Sequence, residues 1–351
     1  MTTAFATRDD LITTFLAQAG HGAAVVSPLA GDASNRRYLR VAAGGRQLVL
    51  MDAPAEKGED VRPFVAMTEW LRGHGHSAPQ ILAADVDQGF LLLEDLGEAL
   101  FARAIAEGTA PEHDLYAAAV DLLAVISAHP VPATIGTGPA TLPLATYDQA
   151  VLRREALLMP DWWMTHAAAT PPSPDQTAEF TALIDAGLAD IGLARDCVVM
   201  RDYHAENLIW LPDRPGTARV GVLDYQDALA GHAAYDLVSL LEDARRDTSP
   251  ALRTAMMERY LDRRGDLERD AFHRAYAALG AQRNLKIVGI FARLAVRDAK
   301  PRYLDLIPRV WDHLMRDLAH PALSDLAAWI AAHVPPPSRE ALARVGQAAP
   351  R

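Results

Sequence analysis

The sequence has a single cysteine in 351 residues, which excludes an internal disulfide framework and any zinc site built from cysteines. That residue, Cys197, stands before Val198 and Val199 and reads as an inert core thiol rather than a nucleophile. No apolar run approaches the roughly eighteen residues needed to cross a bilayer. The N-terminus, Met-Thr-Thr-Ala-Phe-Ala-Thr-Arg-Asp-Asp, lacks the apolar centre of a signal peptide, so the expected location is the cytoplasm. Basic charge is in the minority, 34 Lys plus Arg against 45 Asp plus Glu, and the net charge of −11 argues against broad binding to nucleic acid or an anionic membrane. Lysine is nearly missing: Lys57, Lys286 and Lys300 stand against 31 arginines, and asparagine occurs only at 35, 207 and 284. Where so scarce a type persists, a specific role gains weight.

What is present is enough for a sizeable core. Half the residues are apolar, and the length suggests two lobes. The most informative stretch is 197–227. Three short apolar runs, Cys197 to Met200, Leu208 to Leu211 and Val220 to Leu223, read as short buried strands separated by polar turns. At their ends stand Asp202, Asn207 and Asp224. Asp and Asn at strand ends are often turn residues that bond their own backbone, and Asp with Asn five positions on recurs by chance. The second carboxylate closing the following strand is what turns the pattern toward chemistry. Asp, then Asn, then a strand ending in Asp is the layout of a kinase catalytic loop and metal-binding turn. Asp202 would accept the proton of an attacking hydroxyl. Asn207 and Asp224 would offer hard oxygen ligands to Mg²⁺ carrying the phosphates of ATP.

On these residues the chain resembles the aminoglycoside-phosphotransferase and choline-kinase-like family. The family loop commonly reads His-Gly-Asp, two residues, His, and ends in Asn. Here it is Met200-Arg201-Asp202-Tyr203-His204-Ala205-Glu206-Asn207, followed by Leu223-Asp224-Tyr225. The resemblance implies an α+β, two-lobed protein-kinase-like fold, with a small β-rich N-lobe over 1–95 and a large, mainly helical C-lobe over 96–351. It implies ATP and Mg²⁺ as cofactors, with Asn207 and Asp224 as the metal ligands.

Thr7-Arg8-Asp9-Asp10 opens a helix with Leu11, Phe15 and Leu16 at helical spacing. Strand, turn, strand, turn, strand follows from Val25 to Met51, and the turn around Gly31, Ser34, Asn35 and Arg36 is the expected cover for the phosphates. An ordinary β-hairpin is the alternative there. The third strand ends Leu50-Met51-Asp52, where kinase-like folds place a phosphate-gripping Lys. Lys57, Arg36, Arg37 or the metal itself is left to balance that charge. Residues 59–72 have helical periodicity ending at Gly73. The run Phe90 to Leu93 turns polar at Glu94, and the backbone from Glu94 to Leu96 is the expected hinge to the purine. Helices are expected near 98–107, 111–129, 146–159, 175–193, 267–281, 282–300 and 302–317, and Trp162-Trp163 is expected to pack under a loop rather than to form a binding platform.

Residues 282–302 reverse the local charge, with Arg283, Lys286, Arg293, Arg297, Lys300 and Arg302 against Asp298 alone. A solvated basic face explains this, and so does an anion-binding acceptor wall in which Arg283, Lys286 and Arg293 bind and Asn284 hydrogen-bonds, with His204 and Glu206 beside the base. Such a wall suits an acidic acceptor better than a cationic aminoglycoside or choline. The wider combination, which also includes Gly31 to Tyr38, Val49 to Pro54 and Leu92 to Gly97, resembles the family's bacterial amino-sugar kinases. It implies transfer of the ATP γ-phosphate to the C1 hydroxyl of N-acetylmuramate or N-acetylglucosamine, a small-molecule amino sugar substrate. A kinase for another hydroxylated acceptor, and a nucleotide-binding module without catalysis, remain as alternatives. Oligomeric state has no signature in the sequence.

Overall fold

The computed structural model describes residues 7–29, 35–168, 170–189, 191 and 196–348. In chain order the first elements are α1 (Arg8–Gln18), β1 (Val25–Leu29), β2 (Arg37–Ala43), β3 (Arg46–Asp52), α2 (Arg62–Gly73), β4 (Ile81–Asp85), β5 (Phe90–Glu94) and α3 (Phe101–Ala106). Then come α4 (Glu112–Ala128), β6 (Thr134–Ile135), β7 (Leu142–Pro143), α5 (Gln149–Ala156), a π-helical turn (Met159–Met164), α6 (Thr165–Ala167) and α7 (Pro174–Ala189). The last are β8 (Cys197–Val199), β9 (Leu208–Trp210), β10 (Val220–Val222), β11 (Leu229–Gly231), α8 (Ala234–Leu241), α9 (Pro250–Arg263), α10 (Arg269–Arg297), α11 (Ile307–Asp317), α12 (Ser324–His333) and α13 (Arg339–Gln347). They form two compact units. The first is drawn from Met1–Glu107, Pro132–Leu144 and Glu206–Ala228, the second from Gly108–Val131, Ala145–Ala205 and Leu229–Arg351.

In the first unit a five-stranded antiparallel sheet has the order β1-β2-β3-β5-β4. Gly44 and Gly45 both take positive φ, 56° and 79°, which is what the two-residue turn from β2 to β3 needs. Thr7 caps α1 in a capping box with Asp10, and Ile12, Phe15 and Leu16 fall on one stripe. That stripe covers Val41, Leu48, Leu50, Phe90 and Leu92 on one face of the sheet. The chain after residue 95 returns to this unit. The Trp210 amide donates to Ala99 O at 2.8 Å, and the Val222 amide donates to Ser77 O at 2.8 Å. These bonds bind the β9–β10 hairpin to the N-terminal sheet region, whereas the sequence pattern places one boundary at 95.

The second unit is helical, and α10 runs through it for 29 residues. The sequence pattern predicts separate helices over 267–281 and 282–300. They fuse because nothing breaks them: Glu268 caps Asp270 N and Ala271 N at 2.9 and 2.6 Å, and buried residues continue from Phe272 to Ala295. Gly280 and Gly289 are sites of close approach rather than breaks, since a Cβ on either would collide with Asp317 or Leu158. The predicted helix over 302–317 begins only at Ile307, after a 3₁₀ segment. Trp163 is fully buried with its indole N–H on Pro335 O at 2.9 Å, so it is a packing residue.

Candidate active site

The catalytic-loop sequence leaves β8 at Met200, and β8 is paired antiparallel with β11. Asp236, in the first turn of α8 and 2% exposed, accepts from the amides of Met200 at 2.6 Å and Arg201 at 2.8 Å. Ser239 Oγ donates to Arg201 O at 3.1 Å. These bonds hold Arg201 at φ 70°, a left-handed conformation costing about 1 kcal/mol or more outside glycine. Burial pushes the Asp236 carboxyl up to about 7, against the pull of the two amides.

The Arg201 side chain is held as firmly as its backbone. Its guanidinium pairs with Glu155 and lies 5.3 Å from the ring centre of Tyr147. Lys286 Nζ reaches the same Glu155 carboxylate at 2.9 Å, and the Tyr147 and Tyr235 hydroxyls join at 2.9 Å. Burial works to raise the Glu155 pKa, but Lys286 and then Arg201 outweigh it, and the carboxyl ends below its usual range. Past Asp202, which is half-buried, Tyr203 is buried with its hydroxyl on Ala119 O at 2.8 Å. His204 is 5% exposed, and burial lowers its imidazole to about 4, so it is neutral at neutral pH. The charges that act on it most are those of Asp243, Arg245, Asp202 and Arg283.

Asn207 and Asp224 are brought together by the β9–β10 hairpin. Val222 pairs with Leu208, so the residue before β9 and the residues after β10 stand at one end, and Leu223 N donates to Asn207 O at 2.9 Å. Asp224 is exposed at φ 57°, with Gln226 Nε2 on its Oδ1 at 2.8 Å. An amide oxygen and a carboxylate, both exposed or half-exposed and both hard donors, fit Mg²⁺. Tyr225 is buried beneath this turn, stacked on Phe64 of α2 at 5.0 Å, with its hydroxyl 2.6 Å from Thr68 Oγ1.

Of the residues expected at the nucleotide, Gly31 and Ser34 lie outside the described residues. Asn35 is exposed, its amide on Glu59 Oε1 at 3.2 Å and its side chain on Lys57 O at 3.2 Å. Arg36 Nε pairs with Glu59 Oε2 at 2.8 Å. The Glu94 amide donates to Gln80 O at 2.8 Å and its carboxylate takes Arg214 at 2.6 Å.

The basic wall does not form as expected. Arg283 is 5% exposed and donates to Ser239 Oγ at 2.8 Å. Asn284 is fully buried, donating to Glu242 Oε2 at 2.7 Å and Asp317 Oδ2 at 2.9 Å. It serves a buried acid pair whose pKa values are both raised, first by burial. Lys286 is neutralised by Glu155, and Arg297 is bonded to Asp298 at 2.7 Å. Arg293 is half-buried, and burial followed by Arg297 lowers its pKa. Arg283, Asn284 and Lys286 turn inward because α10 is packed on several sides, by α5, α8 and α11 among others, whereas Arg297 stays exposed. Sequence reasoning missed Glu155 and Glu59. Both lie in strongly charged stretches that read as solvated surface, and only contacts between distant segments reveal their partners.

Arg36, Leu96, Glu206, Asn207 and Asp224 belong to the first unit, and Asp202 and His204 belong to the second.

Comparison with known proteins bears on what such residues do. The phosphotransferase enzyme family profile matches residues 25–273. The N-acetylmuramate/N-acetylglucosamine kinase of Caulobacter vibrioides is 42% identical, covering 93% of this chain and 96% of its own length. The protein of the same name from Pseudomonas aeruginosa is 37% identical, covering 87% of each. Among solved structures, the GDP complex of wild-type aminoglycoside 2'-phosphotransferase-IIIa superposes with a TM-score of 0.55 at 16% identity, covering 90% of this chain and 99% of its own. At that identity the likeness establishes the protein-kinase-like fold alone.

Proposed function

The chain belongs to the phosphotransferase enzyme family, and from that premise we propose that it transfers the γ-phosphate of ATP to the anomeric hydroxyl of N-acetylmuramate or N-acetylglucosamine. The relative from Caulobacter vibrioides, 42% identical over 93% of the chain, carries the choice of acceptor. The basic face at 283–297 does not, because its charges are largely buried or paired. The chemistry rests on three oxygen-bearing side chains. Asp202, on a loop braced through Arg201, takes the proton from the C1 hydroxyl as it attacks. Asn207 and Asp224, aligned by the hairpin, would hold Mg²⁺. That ion, when bound, neutralises charge on the phosphates during transfer. His204, kept neutral by burial, would brace the loop that carries Asp202 without adding a positive charge beside it.

The test is phosphate transfer from Mg·ATP to N-acetylmuramate, N-acetylglucosamine, kanamycin and choline, with the product position read by ³¹P NMR. A 1-phosphate on the acetylated sugars is the expected result. Transfer to kanamycin or choline alone would overturn the acceptor, and ATP binding without transfer to any of the four would overturn catalysis.

A further inference from the structure

A triphosphate brings several negative charges, and β3 supplies no lysine to meet them. Asp52 stands near its end instead, and the register shows why it does no harm. Arg37 and Asp52 are direct cross-strand partners and therefore share a face of the sheet. It is the face covered by α1, because Leu48 and Leu50, which alternate with Asp52 along β3, pack beneath Ile12, Phe15 and Leu16. There Asp52 accepts from Arg8 Nε at 2.8 Å and Arg37 Nε at 2.8 Å, and Arg37 also reaches Asp9 at 3.0 Å. Arg37 is thus engaged on the α1 side.

The opposite face takes the other alternation, with Tyr38 paired to Met51. Arg36, two residues before Tyr38, falls on this side and is anchored by Glu59, with 15% and 12% of the two side chains exposed. Burial works against the Arg36 charge, and Glu59 together with Tyr38 more than restores it. After burial, the charges that bear most on the Tyr38 phenol are those of Arg36 and Asp224, so cation, phenol and metal-turn carboxylate are electrostatic neighbours. One element links them. Glu59 leads into α2, and Phe64 and Thr68 of α2 hold Tyr225, the residue after Asp224. Lys57 is exposed on a 3₁₀ turn, where its amide donates to Pro54 O at 3.0 Å and its carbonyl accepts from Asn35 Nδ2 at 3.2 Å.

We propose that Arg36, held by Glu59, is the cation that grips the nucleotide phosphates, displaced from β3 to the entry of β2. A guanidinium carries five N–H donors, so the Glu59 carboxylate on Nε and the Tyr38 hydroxyl that Arg36 also bonds are compatible with phosphate oxygens as further acceptors. The assignment rests on the kinase reading above. It is tested by titrating full-length Arg36→Met, Arg36→Lys, Glu59→Gln and Lys57→Met with adenosine and with Mg·ADP, alongside turnover of Mg·ATP. Arg36→Met is expected to weaken Mg·ADP by about tenfold to a hundredfold, the scale of a lost charge-assisted contact, while adenosine binds as before. Arg36→Lys should recover part of the loss, Glu59→Gln should lose less than Arg36→Met, and Lys57→Met should stay within about twofold. Unchanged Mg·ADP affinity in Arg36→Met, an equal loss of adenosine, or the main loss in Lys57→Met would overturn the assignment. An inactive wild type would overturn the kinase reading and this assignment with it. An active wild type beside an unaffected Arg36→Met would overturn the assignment alone.

Discussion

Gly289 offers a sharp test of how the second unit is held together. In α10 an alanine at this position should help, because alanine is favoured over glycine in a helix interior by about 1 kcal/mol. The packing opposes it. A Cβ on Gly289 would lie 2.6 Å from Leu158 Cβ and closer still to the Leu158 carbonyl group. Backbone cannot rotate away as a side-chain tip can, so the overpacking cost should reach the upper end of the usual range, about 3 kcal/mol. The net expectation for Gly289→Ala is a loss of roughly 2 kcal/mol, a fall in Tm of about 4–8 °C for a unit of this size. Leu158 lies two residues past α5, whose Glu155 joins Lys286 of α10 to Arg201. Forcing α5 from α10 should therefore loosen the catalytic loop and lower kcat, while Mg·ADP affinity holds because the proposed nucleotide residues belong to the first unit. Thermal and urea unfolding give the first number, and steady-state kinetics with calorimetry give the second. Gly346→Ala is the control, since its added Cβ meets only Leu304 at 3.6 Å and should stabilise slightly. A Gly289→Ala protein as stable as wild type would refute the close approach of α5 to α10.

Three further outcomes are expected. Asp202→Asn should abolish phosphate transfer while Mg·ADP binding, by calorimetry, stays within about twofold, and normal turnover in that variant would remove Asp202 from its role as base. Asp236, Glu242 and Asp317 all have pKa values raised by burial, Asp236 to about 7 and the other two in the same direction. Between about pH 4, where these acids ionise in the unfolded chain, and about pH 7, the folded state therefore holds more protons. Their contribution to stability falls as pH rises through that window, and Asp236→Asn should flatten part of the slope in urea midpoints taken at about pH 5 and pH 8. Burial also pushes the Cys197 thiol well up, so a chromogenic disulfide reagent near pH 8 should react with it only after unfolding, and rapid labelling of the native chain would contradict its burial.

The local pattern of the chain settled much on its own. Apolar runs and turn residues located β1, β2, β3 and β5 but not β4, the periodicity of 59–72 located α2, and the spacing of Asp202, Asn207 and Asp224 singled out the turns that follow β8 and β10. Each of these depends on residues near one another in sequence, where hydrogen-bond periodicity and side-chain spacing act directly. The fate of charges did not yield to such reasoning. Lys286 and Asn284 read as an acceptor wall because a basic run looks alike whether it faces water or a buried carboxylate. Only the packing of α5, α8 and α11 around α10 supplied Glu155, Glu242 and Asp317 as their partners. The same holds for Asp52 and Arg36, one residue type repelling phosphate and the other attracting it on paper. Strand register placed Asp52 on the α1 face and Arg36 beside Glu59. Where a charge ends up depends on which distant segment meets it, and that is a property of the tertiary fold.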